Sequence, residues 1–90
     1  MSYVYILSDH DEYGAENLVA TLDRSLLMGM VEKNWPKYKP VWIEEAKAGL
    51  ARHLEELSDE ELCEKTRKNG LDCHRGWGGM QLHVVKLDAP

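Results

Sequence analysis

The chain has 90 residues, of which 43% are hydrophobic and 30% charged, which leaves room for one core. A single domain over residues 1–90 is expected, and it should bury only about 60 to 65% of the surface its unfolded chain exposes. This composition excludes a disordered segment, and a net charge of −5 with no basic stripe argues against direct nucleic-acid binding.

The acidity is unevenly placed. Residues 1–34 hold Asp9, Asp11, Glu12, Glu16, Asp23 and Glu32 against two bases, whereas residues 35–57 balance and residues 58–90 hold six acids against five bases. Such a surface suits a basic partner, including a protein that itself grips nucleic acid. The opening MSYVYIL has no basic leader region, and its apolar run is too short for a membrane span, so a cytoplasmic protein is expected. In that compartment Cys63 and Cys73 default to free thiols.

Tyr3 to Leu7 is β-branched and aromatic and reads as a first strand, with Val4 and Ile6 on one face and Tyr3, Tyr5 and Leu7 on the other. The stretch SDHDEYGAE, residues 8–16, reads as a charged loop with a turn at Gly14. Asn17 to Leu22 then offers a second strand with Leu18, Ala20 and Leu22 on one face, so that the two strands form a long hairpin.

Asp23 and Ser25 are suitable N-caps for a short helix through Leu26, Leu27, Met30 and Val31, which the Trp35-Pro36 pair ends. Pro40 opens a second helix near residues 41–57. Its apolar stripe runs through Trp42, Ala46, Gly49, Leu50, His53, Leu54 and Leu57, and His53 reads as a packed core histidine. Ser58 and Glu61 make a capping box for a third helix, and Gly70 fits its left-handed C-terminal position. Met80 to Leu87 reads as the last strand.

This pattern predicts an α+β fold: a three-stranded antiparallel sheet of order 2-1-3, with about three helices inserted between strands 2 and 3 and covering one face. The right-handed crossover rule sets strand three beside strand one.

Several constellations carry potential chemistry. Asp9, His10, Asp11 and Glu12 offer hard ligands for a metal-binding protein or metal-dependent enzyme. With Asp9 as the first position of a calcium loop, Gly14 falls at the sixth, but Ala20 stands where the twelfth-position glutamate clamp belongs. Cys63, Cys73, His74 and His83 include zinc-ligand atom types without the paired C-x2-C spacing. Cys73 with His74 or His83 has no nucleophile signature around it, and the glycines of HRGWGG do not make a phosphate loop. Arg75 and Trp77 are residue types that dominate binding hot spots, while Trp77 set between glycines reads first as closing the core and second as an exposed anchor.

The strings VYILSDHDEYGAENLVATLDRSLL and QLHVVKLD resemble a loose group of small, largely uncharacterised phage and bacterial proteins. The resemblance covers residues 3–34 and 80–88 and implies a ββα-plus-β core and a phage or mobile-element origin. It implies no catalytic residue and no cofactor.

The expected function is a non-enzymatic protein-binding module, a small phage-type accessory or inhibitory protein. It would act on a host protein through Asp9, Asp11, Glu12 and Glu16 of the acidic loop and through Arg75 and Trp77. A homodimer through an exposed sheet edge is a further expectation.

Overall fold

The computed structural model describes residues 2–11, 14–36, 38–73 and 79–87. The chain runs through strands β1 (Ser2–Asp11) and β2 (Gly14–Thr21), then a 3-10 turn (Arg24–Leu26) leading into helix α1 (Leu27–Asn34). Helices α2 (Pro40–Glu56) and α3 (Asp59–Lys65) follow, and strands β3 (Leu71–Asp72) and β4 (Met80–Leu87) complete the order. The fold class is α+β, with an antiparallel sheet of order β2-β1-β4-β3.

The expected three strands in the order 2-1-3 are therefore corrected to four. The strand over 80–87 does lie antiparallel to β1. The addition is β3, a two-residue strand that pairs Leu71 with Leu82 and Asp72 with Gln81. So short a strand has no periodicity in sequence, and only its partner defines it.

The long loop expected over residues 8–16 is also corrected. β1 stays extended through Asp11, and Asp11 pairs with Gly14, so only positions 12 and 13, outside the described residues, separate the strands. Ser8 pairs with Leu18 and His10 with Ala15, which sets Glu16 and Asn17 of β2 opposite the single residue Asp9. The charged stretch is thus mostly a bulged hairpin, its carboxylates tolerated in a ladder because backbone pairing is indifferent to side-chain charge.

Side-chain caps open the 3-10 turn and α3, whereas α1 and α2 begin at Leu26 and Lys39 without one, so Asp23 caps the turn and not the helix expected after it. Asp23 accepts from the Ser25 amide at 2.9 Å, and Ser58 and Glu61 form the reciprocal box at 3.2 and 3.1 Å. α3 stops earlier than expected, at Lys65 with Thr66 as its C-cap. Gly70 is not left-handed there. It lies against β4 instead, where an added Cβ would come 2.9 Å from Gln81 and closer still to His83.

Every other residue of the two central strands faces the helices. Tyr5 and Leu7 of β1 stand beside Val84 and Leu82 of β4, and these pack against Leu27, Val31, Trp35, Ala46, Leu50 and Leu62. Each such aliphatic burial contributes about 1.5 to 3 kcal/mol. Arg24 ties the corners of this layer together. Its guanidinium bridges Asp59 at the start of α3, at 2.7 Å, and also donates to the Leu54 carbonyl of α2.

Thr66 connects α3 to the sheet. Its buried Oγ1 lies 2.8 Å from the Leu62 carbonyl and accepts from the Val84 amide at 3.0 Å. β3 reaches along β4 only as far as Leu82, so Thr66 occupies the edge of β4 that β3 leaves uncovered. Thr66→Val should cost about 1 to 3 kcal/mol in a urea melt, because the Val84 amide is left buried without its acceptor.

Among the described glycines Gly49 permits the tightest approach: an added Cβ would lie far inside contact distance of the Cys73 carbonyl oxygen. Gly49→Ala is expected to lower stability by about 1 to 3 kcal/mol through forced displacement of α2. Gly29, in the interior of α1 with open space around it, should gain about 0.5 to 1 kcal/mol on the same change. Thermal melts of the two variants should therefore shift in opposite directions.

Candidate functional site

Strand register decides which of the predicted residues can meet. Asp9 near the end of β1 pairs with Met80 at the start of β4, and the Cys73 amide donates to the Met80 carbonyl at 2.8 Å. The β1–β2 hairpin tip therefore lies at the same end of the sheet as Cys73 and Gly79, the residues that flank positions 74–78. Asp11 and Glu16 are placed in the hairpin by their backbone, while Glu12, Arg75 and Trp77 lie outside the described residues.

Asp9 departs from its expected role. It is only 5% exposed, and the Tyr38 hydroxyl donates to its Oδ2 at 3.2 Å. A buried carboxylate held by a neighbouring hydroxyl is an internal strut, so Asp9 does not present its charge to solvent as expected. The strut also brings the connector between α1 and α2 to this end of the sheet.

Sequence reasoning passed over the residues of that connector as site candidates. Tyr38 and Trp42 meet edge to face with ring centroids 6.1 Å apart, and Lys39 Nζ stands 5.1 Å from the Trp42 ring centroid. A cleft of about 310 Å³ opens beside them, lined by Trp35, Pro36, Tyr38, Pro40 and Ile43, with Glu32 and Glu44 at its rim. Lys47 bridges Glu32 at 2.5 Å and Glu44 at 3.8 Å, which offsets one of the two carboxylate charges. Trp35 is buried, and its indole Nε1 has no hydrogen-bond partner among the described residues. The signal available in sequence was the aromatic and proline content of WPKYKP, which also suits a plain connector.

The expected metal-ligand set of Asp9, His10, Asp11 and Glu12 lies mostly outside the described side chains. Residues 9–11 are extended strand, which holds successive residues apart rather than wrapping them as a calcium loop does. Of the four, Asp9 alone has a described side chain, and Glu12 lies outside the described residues. Among the described residues no cluster of three or more His, Cys, Asp or Glu is placed to hold a metal.

The cysteines are free thiols, half-buried at Cys63 and buried at Cys73. A larger cleft of about 590 Å³ passes Cys73, lined also by Glu45, Arg52, His53 and Asp72. Its groups do not make a nucleophile with a base. Burial first, and the charge of Asp72 second, push the Cys73 thiol up to about 12, and the His53 Nε2 lies 2.8 Å from the Asp72 carbonyl. His53 is thus a tether from α2 to β3 at the side of this cleft, in place of the core histidine expected. His74 lies outside the described residues, and His83 is half-buried on the other face of β4.

Tyr5 is shifted in the same sense. Its hydroxyl is raised to about 12, chiefly by burial and then by hydrogen bonding to Asp59. No helix among the described residues is long and apolar enough to cross a membrane. No protein-family model, curated protein or solved structure matches the chain.

The two thiols should differ in reactivity. Iodoacetamide at pH 8 is expected to label Cys63 in the folded protein and to spare Cys73 until denaturant is added, because attack needs an accessible thiolate. Peptide mass spectrometry reads this directly, and equal labelling of both in the native state would contradict the assignment.

Proposed function

We propose that the protein is a non-enzymatic protein-binding module, a small phage-type accessory or inhibitory protein that recognises a basic surface on a host protein. Its contact surface is the sheet end that carries the β1–β2 hairpin tip and the chain on either side of positions 74–78. The observation that supports this reading is the register of Asp9 with Met80, which gathers two sequence-distant candidate segments at one end of the molecule.

The proposed division of roles follows from chemistry. Asp11, Glu12 and Glu16 supply negative potential that steers a basic partner, and Trp77 with Arg75 supplies the anchor, since aromatics and arginine carry most interface energy. Tyr38 and Trp42, held near this end through the Asp9 contact, extend the aromatic surface. Asp9 itself stays inside and supports the hairpin.

The experiment is capture of partners from host lysate with wild type, an Asp11→Ala/Glu12→Ala/Glu16→Ala variant and Trp77→Ala. Loss of the same partner in both variants, with binding of the wild type weakening as salt rises, is the expected result. Equal recovery of every captured protein by all three would remove the hairpin end from the function.

A further inference from the structure

We propose that the cleft between α1, the connector after it and α2 seats one arginine side chain of a partner peptide, its stem on the aromatic and proline floor and its guanidinium on Glu44. The inference rests on the reading of a basic partner for the source of that arginine. It adds which basic residue is held, and where.

The cleft is built by a short stretch of chain. Trp35 is the C-cap of α1, Pro36 and Pro40 fix the course of the connector around Tyr38, and Ile43 follows one turn into α2. Its volume of about 310 Å³ stands at the low end of the roughly 300 to 1,000 Å³ typical of ligand sites. That suits one side chain with its adjoining peptide groups and leaves no room for a large cofactor.

Charge sets the sign of the occupant. Glu32 of α1 and Glu44 of α2 stand at the rim against the single ammonium of Lys47, which lies 2.5 Å from Glu32 and 3.8 Å from Glu44. Glu44, the more loosely held and 73% exposed, keeps most of its charge to offer, so one cation completes the set. The floor then chooses between the two basic residues. A guanidinium is planar and weakly hydrated, stacks on aromatic faces and meets a carboxylate with two donors, whereas an ammonium gives up its water reluctantly. The same connector already shows the attraction, since Lys39 Nζ lies 5.1 Å from the Trp42 ring centroid.

An independent observation asks for a second group on the ligand. Among the described residues, the indole Nε1 of Trp35 is the only buried side-chain polar atom without a hydrogen-bond partner, and Trp35 lines this cleft. A buried donor left unpaired is costly, and a backbone carbonyl beside the arginine supplies the acceptor. The donor is enclosed in the free protein, so the carbonyl reaches it as Tyr38 and Ile43, both half-buried, give way. A purely apolar partner offers neither the cation nor the acceptor. Through the Tyr38 hydroxyl on Asp9 the cleft is tied to the hairpin end of the sheet, where acidic residues steer a basic surface inwards.

The probes are Nα-acetyl-arginine N-methylamide, the lysine equivalent and the neutral citrulline isostere, titrated into the full chain and followed by proton–nitrogen NMR. The Trp35 indole resonance is assigned by its loss in Trp35→Phe or, should that variant not fold, by elimination with Trp42→Phe and Trp77→Phe. The arginine probe should shift this resonance saturably with an affinity on the order of 1 mM, as suits so small a ligand. The citrulline probe should leave it in place, and the lysine probe should bind more weakly than arginine. Glu44→Gln should weaken arginine binding about two- to fivefold, and added salt should weaken it further. Glu60→Gln, which removes an exposed carboxylate from α3, should not change it.

An indole resonance that stays fixed at the solubility limit of the arginine probe overturns the proposal, even if other resonances move. Equal binding of citrulline removes the role of charge, and equal binding of lysine removes the choice of arginine. The probes contain no host protein, so their failure strikes the cleft alone. Capture from lysate by the hairpin variants still decides the basic-partner reading, and loss of that reading leaves probe binding unaffected.

Discussion

β4 can lie antiparallel to β1 only if the chain, on leaving β2, crosses the sheet and returns from the far side. Three helices make that crossing, and a crossover of consistent hand keeps them all on one side. Burial of Tyr5, Leu7, Leu82 and Val84 under Leu27, Val31, Leu50 and Leu62 then follows as the only way to remove both apolar surfaces from water together. From this one-sided arrangement come the tight pass of Gly49 over Cys73 and the reach of Arg24 to two helices.

A small two-layer fold has few spare hydrogen bonds, and this one places polar side chains where backbone pairing runs out. Thr66 serves as the C-cap of α3 and covers the edge of β4 beyond the end of β3. His53 holds the carbonyl of Asp72, fixing β3 to α2, and Tyr38 holds Asp9. These contacts join segments 18 to 29 residues apart, so each closes a loop that hydrophobic burial must first bring together.

The molecule separates its surface chemistry by location. One end of the sheet gathers the acidic hairpin and an aromatic connector, and the helical side carries paired charges such as Lys47 with Glu32. The buried thiol of Cys73 and the engaged imidazole of His53 contribute to structure at the larger cleft.

Part of the local signal was legible, although Gly70 did not take the left-handed C-terminal position expected of it. Asp23 with Ser25, Ser58 with Glu61, Pro40 at the start of α2 and the alternation in β1 each act within about four residues, so the chain itself states them. The α+β class and the placement of the last strand beside the first followed from element order and handedness. What sequence could not state was anything that depends on a distant partner. β3 exists only because β4 pairs with it, and the extension of β1 through Asp9 to Asp11 is set by the ladders on both sides. Alternation distinguishes the two faces of a strand without saying which is covered, so Leu18, Ala20 and Leu22 read as a coherent apolar face and yet point to solvent. The burial of Asp9 beneath Tyr38, 29 residues away, belongs to the same category: a carboxylate in a charged run looks solvated until the packing of another element takes its water away.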